Sequence, residues 1–178
     1  MLMVEKTKLD GVLLVKPDVF SDFRGTFTET YNEELYIQNG LTARFVQDDM
    51  SQSKKHVLRG IHVEDAITKL VWCGYGELFC VIVNCDESSS DFGKWEGFIL
   101  TDKNRWQLYV PPKHGIGHVI LSDGGMFSYK QTGYYDPSGQ RSYKYDEPRF
   151  NISWPVKDVI LSERDKAGKY IEGVVYKK

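Results

Sequence analysis

Short runs of β-branched and aromatic residues recur along this chain, and turn-forming residues separate them. These runs predict strands at residues 11–15, 26–30, 43–51, 57–62, 69–73, 78–85, 95–100, 107–110, 118–121, 127–132 and 141–145. No helical pattern of ten or more residues lies between any two of them, which argues against a parallel α/β fold. The pattern therefore predicts an all-β protein built as a sandwich or barrel, and it favours a jelly roll.

Helices are expected at only two places. One covers residues 32–38, and the other begins at Ser162, a candidate N-cap because Asp165 follows three positions later. No glycine-rich strand-turn-helix fingerprint occurs, so Rossmann and P-loop interpretations fail.

Length and composition fit a soluble globular protein, and we expect one domain over residues 1–178. The longest apolar runs are too short for a membrane helix, and the N-terminus has no apolar signal core. The cysteines, Cys73, Cys80 and Cys85, lack metal-ligand spacing. We expect free thiols in the core and a location in the reducing cytoplasm.

The charge balance constrains the partners. Lysine and arginine total 23 and aspartate and glutamate total 25, a net charge of −2. A dedicated nucleic-acid binder usually has a basic surplus, so that class is disfavoured. A small anionic ligand is still compatible, because a few well-placed arginines are enough to bind it.

The histidines do not have the spacing of a metal site. His62 is followed by Val63 and Glu64, whereas a metal-binding jelly roll usually has a second histidine one residue away. His114 and His118 follow two prolines and flank three residues that include two glycines, so they cannot share a helical face. We therefore expect no metal.

The strand around Arg59 and His62 is the first candidate for chemistry. Strict alternation puts these two residues on opposite faces, but either strand twist or a bulge at Gly60 would bring both to one mouth. Lys69 begins an apolar strand, so it is either an edge charge or a charge in a polar cavity. Tyr129 is either a core aromatic with a hydrogen-bonded hydroxyl or a functional phenol.

In order along the chain, a set of segments resembles the dTDP-4-dehydrorhamnose 3,5-epimerase family. The segments are FSDFRGTFTE (20–29), FVQDDMSQS (45–53), VLRGIH (57–62), KLV (69–71), GELF (76–79), DFGKW (91–95), LS (121–122), YKQTGYY (129–135), ISWP (152–155) and LSERD (161–165). The resemblance covers nearly the whole chain, and the order of the segments is more specific than any single motif.

The resemblance implies a cupin-type jelly roll that binds a nucleoside-diphosphate 4-keto-6-deoxy sugar and epimerises it at C3 and C5 without a metal or organic cofactor. It implies that His62 is the base, Tyr129 the opposing acid, Asp165 the partner of the histidine and Lys69 a further catalytic group. It also implies a homodimer in which the N-terminal strand of one subunit completes the site of the other. The substrate contacts that it implies are Arg24, Glu29, Gln47, Asp49, Arg59, Lys69, Tyr135, Gln140 and Arg164.

These residue types suit the reaction. The C4 ketone acidifies the C3 and C5 protons, and neutral imidazole is a suitable base near physiological pH. An aspartate on its other nitrogen would set the tautomer, and an ammonium would stabilise charge on the C4 oxygen. Inversion needs a proton donor on the opposite face. A tyrosine has the reach, and a neighbouring cation can lower its pKa.

The chain departs from the usual family pattern at four places. Residues 113–118 read KHGIGH where the family commonly has GFAHGF, so Ile116 stands at the position of a phosphate-binding histidine. The contact to the phosphate is then missing, unless His114 or His118 supplies it. Asp49 replaces an asparagine, and Gln140 replaces a glutamate. The loop at residues 63–68 is short, as in the branch that acts on GDP-linked 4-keto-6-deoxy-heptoses. The nucleotide, the sugar length and the number of inverted centres therefore stay open.

Two other functions are weighed against this one. A related cupin ketoisomerase would move the ketone from C4 to C3, but such relatives usually lack a C-terminal region like residues 152–165. A non-catalytic sugar-binding jelly roll would bind without proton exchange, and it has no need of a base, a lysine and a tyrosine together.

Overall fold

The chain is described by a computed structural model that covers residues 2–171. The strands are β1 (Met3–Lys6), β2 (Leu13–Lys16), β3 (Phe20–Asp22), β4 (Gly25–Phe27), β5 (Gln47–Lys54), β6 (Leu58–Glu64), β7 (Lys69–Tyr75), β8 (Glu77–Asn84), β9 (Trp95–Thr101), β10 (Gln107–Val110), β11 (His114–Ile120), β12 (Gly124–Gln131) and β13 (Gln140–Ser142).

The two α-helices are α1 (Glu33–Gln38) and α2 (Glu163–Lys166), and a 3₁₀ turn covers Pro137–Gly139. Asn32 caps α1 by accepting a hydrogen bond from the Leu35 N–H, and Ser162 caps α2 by accepting one from the Asp165 N–H. Both helices lie where they were predicted, and Ser162 is the N-cap that the sequence indicated.

Two antiparallel sheets form the body of the molecule. The first has the order β1-β2-β10-β7-β12-β5, and the second has the order β13-β6-β11-β8-β9. Strands β3 and β4 pair only with each other, as a separate two-stranded ribbon. The all-β prediction is confirmed, and the architecture is a cupin-type jelly roll.

Alternation along the strands produces three apolar clusters. Residues such as Val71, Ile82 and Leu108 point between the sheets and form the interior cluster. The outer face of the second sheet packs on the C-terminal segment through Ile61, Val63 and Phe150. The outer face of the first sheet is covered by the N-terminus and α1 through residues including Val15 and Tyr36.

Strand β11 begins four residues earlier than predicted, at His114 rather than His118. The glycines at 115 and 117 predicted a turn, and that prediction was wrong. Both glycines lie in the strand and face the outer cluster, where a Cβ on either would collide with the side chain of Ile61. They are small because another side chain packs directly onto the backbone there.

Other boundaries also differ from the prediction. Strand β1 was not predicted, and β5 starts at Gln47 instead of residue 43. Beyond Phe27, residues 28–30 are not in a strand. The pairing partner of β5 is β12, which is distant in sequence, so local composition does not determine where this edge strand begins.

The three cysteines are free and buried, as predicted. Burial raises the pKa of each thiol, to about 11 for Cys73 and about 12 for Cys85. Within residues 2–171, no helix has the length and apolar character needed to cross a bilayer.

Candidate active site

A bulge in β6 brings Arg59 and His62 onto the same face of the strand. Ile116 of β11 pairs with His62, and His118 pairs with Arg59, so two residues of β6 oppose Gly117 alone. The extra residue reverses the alternation between Arg59 and His62. The bulge that the sequence suggested at Gly60 is confirmed.

His62 and Asp165 form a hydrogen-bonded pair in the site. The Nε2 atom of His62 lies 2.7 Å from Oδ1 of Asp165, whose side chain is only 4% exposed. Burial alone would raise the pKa of Asp165, but hydrogen bonds from His62, from the Ser162 hydroxyl and from the Gly60 backbone lower it below its usual value. Because an ionised carboxylate only accepts hydrogen bonds, Nε2 carries a proton, and in the neutral form of the imidazole Nδ1 is then the acceptor nitrogen.

Lys69 and Tyr129 meet on the opposite sheet. The Lys69 Nζ atom lies 4.8 Å from the centre of the Tyr129 ring, and it forms an ion pair with Glu64. Tyr129 packs on the interior cluster, and His62 is in register with Ile116, which packs on the same cluster. The imidazole and the phenol therefore face the space between the sheets from two sides.

Tyr129 is a weak acid in this environment. Burial raises its pKa to about 12, and the nearby carboxylates of Asp49 and Glu64 contribute in the same direction. A neighbouring cation can lower the pKa of a phenol, but here desolvation and the two carboxylates outweigh any such effect of the Lys69 ammonium. The phenol is therefore fully protonated near neutral pH.

A chain of hydrogen bonds crosses the mouth of the site and links the two sheets. Gln47 donates to Asp49 at 2.7 Å and accepts from the Tyr135 backbone N–H at 3.0 Å. Arg164 contacts the Tyr135 hydroxyl at 3.5 Å and donates to the side chain of Gln140. Tyr135 is half exposed, which suits an aromatic side chain on which a base stacks.

Arg59 is an exposed residue of β6. Its Nε donates to the Ser53 hydroxyl at 3.1 Å, which ties β6 to β5. An arginine fixed at one nitrogen still has other N–H groups for an anion.

Arg24 and Glu29 do not join the site within one chain. Arg24 lies on the exposed β3–β4 ribbon, where Asp22 binds it at 2.6 Å and Phe23 lies below it. Glu29 is exposed beyond the end of β4.

The histidines on either side of Ile116 face inward, but neither is suited to carry a positive charge. His118 stacks on Phe127 with ring centres 4.0 Å apart, and burial, followed by the charges of Arg59 and His62, lowers its pKa to about 3. Burial also lowers the pKa of His114, whose Nδ1 lies 3.1 Å from the Pro112 carbonyl. A neutral His114 that donates to this carbonyl presents only an acceptor nitrogen, so neither ring resembles a cationic phosphate ligand.

Glu64 was not among the residues selected from the sequence. It follows His62 by two positions on the strand, so alternation would have placed it on the same inward face. Among residues 2–171, no three His, Cys, Asp or Glu side chains converge as metal ligands would.

Comparison with known proteins supports one assignment. The sequence model of the dTDP-4-dehydrorhamnose 3,5-epimerase family matches residues 6–172. A curated relative, the dTDP-4-dehydrorhamnose 3,5-epimerase of Methanothermobacter thermautotrophicus, is 41% identical over 177 residues, which is 96% of each chain.

Two solved structures are similar over almost the full length. The dTDP-6-deoxy-D-glucose-3,5-epimerase of Legionella pneumophila, in complex with dTDP-4-keto-L-rhamnose, is 37% identical, with a TM-score of 0.91 and coverage of 96% and 93% of the two chains. The dTDP-4-dehydrorhamnose 3,5-epimerase of Bacillus anthracis, with TDP and pyrophosphate bound, is 32% identical, with a TM-score of 0.92 and coverage of 96% and 100%.

Proposed function

This chain belongs to the dTDP-4-dehydrorhamnose 3,5-epimerase family, and on that premise we propose that it inverts C3 and C5 of a dTDP-linked 4-keto-6-deoxy hexose. The reaction is an isomerisation in deoxysugar biosynthesis. The observation that carries the proposal is the placement of His62, paired with Asp165, and Tyr129 on opposing sheets.

We assign the proton steps as follows. Nδ1 of His62 removes the proton from the carbon beside the ketone, and the electron pair of that C–H bond moves onto the C4 oxygen as an enolate. The Lys69 ammonium stabilises this oxygen, as an oxyanion-hole donor does. Tyr129 then donates its phenolic proton to the same carbon from the opposite face. His62 loses its proton to solvent, the tyrosinate regains one, and a second cycle inverts the other centre.

The mouth of the site supports the assignment of a nucleotide. Tyr135 offers a stacking face, and Arg59 and Arg164 offer charge-assisted hydrogen bonds to a diphosphate. The nucleotide is proposed as dTDP because the curated relative and the Legionella enzyme are named for dTDP sugars.

The test is proton NMR in deuterated water with dTDP-4-keto-6-deoxyglucose. We expect deuterium at C3 and C5 and formation of the L-sugar, with both lost in His62→Ala. A panel that crosses dTDP with GDP and hexose with heptose tests the substrate. Absence of deuterium at both carbons for every substrate would overturn the proposal.

The same experiment separates the alternatives. A 3-keto product would identify a ketoisomerase, and deuterium at C3 alone would identify a 3-epimerase. Binding without exchange, with affinity preserved in His62→Ala, would identify a sugar-binding protein.

We also propose a cytoplasmic homodimer in which the ribbon β3–β4 of one subunit completes the site of the other. Phe20, Phe23 and Phe27 of this ribbon are 60%, 98% and 69% exposed, a cluster that is unusual on a free surface. A second copy would cover these rings, and Arg24 of one copy would then reach the active site of the other.

Gel filtration over a range of concentrations is expected to give a dimer. Phe23→Ser is expected to yield monomers that bind dTDP poorly, and a fully active monomer would contradict the proposal.

A further inference from the structure

Glu64 and Lys69 form an ion pair that is almost completely removed from solvent. Their side chains are 8% and 13% exposed, and they stand at the end of β6 and the start of β7. The loop of residues 65–68 connects the two strands, so the fold brings a carboxylate and an ammonium together at the inner end of a tight connection.

Stability alone is a poor reason for such a pair. Removing two charges from water costs several kcal/mol each, and apolar side chains of similar volume are often as stable or more stable in such places. The positioning of one of the two side chains for catalysis therefore explains this buried ion pair better than stability does.

The ammonium has a defined place because two groups contact it from different sides. The Glu64 carboxylate binds it directly, and the Tyr129 ring centre lies 4.8 Å away. Glu64 and Lys69 also line one small cavity with His62, His114 and Ile116. One N–H of Lys69 is directed to Glu64, so its other N–H groups can donate hydrogen bonds to a molecule in that cavity or in the cleft beside it.

We propose that Glu64 is a positioning residue for the epimerisation, which holds the Lys69 ammonium where the enolate oxygen develops. This inference rests on the proposed function and adds Glu64 to it, as a residue that affects the reaction only by positioning Lys69. Glu64 itself makes no contact with the reacting carbons in this assignment. Its carboxylate fixes a flexible four-carbon side chain that would otherwise sample several rotamers.

The test compares Glu64→Gln with a matched control, Glu77→Gln, an exposed glutamate at the start of β8. Glu64→Gln keeps the volume and removes the charge. We expect its kcat to fall about ten- to a hundredfold, as is common when a supporting partner of a catalytic group is lost. We expect KM and dTDP affinity to change less than about threefold, because the nucleotide contacts are intact. Glu77→Gln is expected to behave as wild type.

A double-variant experiment distinguishes positioning from a general structural role. Lys69→Met removes the ammonium, and adding Glu64→Gln to it is expected to cause no further loss of kcat, because Glu64 acts through Lys69. Glu64→Asp, which retains the charge one methylene further away, is expected to be faster than Glu64→Gln. Thermal unfolding followed by circular dichroism verifies that each variant is folded before its kcat is compared.

Three results would overturn the inference. They are a Glu64→Gln kcat within twofold of wild type, multiplicative losses in the double variant, and Glu64→Asp no faster than Glu64→Gln. Each presupposes a wild-type enzyme that exchanges deuterium at C3 or C5. Failure of that exchange refutes the proposed function, whereas exchange with an unaffected Glu64 variant refutes only the role of Glu64.

Discussion

The Nε2 atom of His62 lies 2.7 Å from Oδ1 of Asp165, although 103 positions separate the two residues in sequence. The contact joins β6 to α2, a helix of a single turn that Ser162 caps. The same hydroxyl that caps the helix also donates to Oδ2 of Asp165 at 2.8 Å. The cap therefore orients the carboxylate as well as the helix, and the carboxylate orients the imidazole.

Asp165→Asn is expected to lower kcat by about a hundredfold or more while leaving KM within a few-fold of wild type. The amide keeps the shape but no longer selects the tautomer with the Nε2 proton or stabilises the imidazolium. Steady-state kinetics would measure this, with the exposed Asp158→Asn as control. A kcat within twofold of wild type would show that the pair is structural only.

Tyr129→Phe is expected to separate proton exchange from inversion. His62 is still able to remove and return the proton on its own face, so deuterium enters the sugar while net epimerisation falls about a hundredfold. NMR in deuterated water reads both quantities in one sample. Tyr134→Phe is the matched control, because that ring is 77% exposed. Loss of exchange in parallel with inversion would remove Tyr129 from the role of opposing acid.

His118→Phe is expected to stabilise the protein at mildly acid pH relative to wild type. The pKa of His118 is lowered to about 3, mainly by burial, so below its unfolded value of 6.5 the unfolded chain binds a proton that the folded chain does not. Wild type therefore loses stability as pH falls from 6.5 towards 3, and the phenylalanine variant does not incur this loss.

Between pH 7 and pH 5 the difference in unfolding free energy between the two proteins should shift by about 2 kcal/mol in favour of His118→Phe. Urea unfolding at the two pH values measures this shift, and the other titrating groups cancel because both proteins contain them. An equal difference at both pH values would show that His118 is protonated in the folded state.

Gly60→Ala is expected to destabilise the protein by about 3 kcal/mol or more, or to prevent folding. The residue has a φ of 128°, and an added Cβ would lie 2.5 Å from the Gly117 Cα atom. Gly124→Ala is the control, since its Cβ would meet nothing closer than the Ser53 carbonyl oxygen at 3.8 Å. Thermal unfolding would show a large fall for the first variant only. Equal midpoints would contradict the account of the bulge.

Local patterns accounted for much of the fold. Alternating apolar residues and turn residues located most strands, and Ser162 marked the start of α2. The strand boundaries that failed lie where another part of the chain decides the outcome. Gly115 and Gly117 lie in a strand that pairs with β8 and leaves room for Ile61, and the partner of β5 is distant in sequence.

The sequence by itself determined the all-β class, the segments that carry the family resemblance and the residue types of the site. The tertiary structure decided which of those residues meet. The bulge at Gly60 turned Arg59 towards His62, and the pairing of the strands placed Lys69 between Glu64 and Tyr129. Burial and two carboxylates, rather than the nearby cation, determined the direction in which the pKa of Tyr129 moved. The physical reason is that contacts and desolvation depend on distances in space, and spacing along the chain does not specify them.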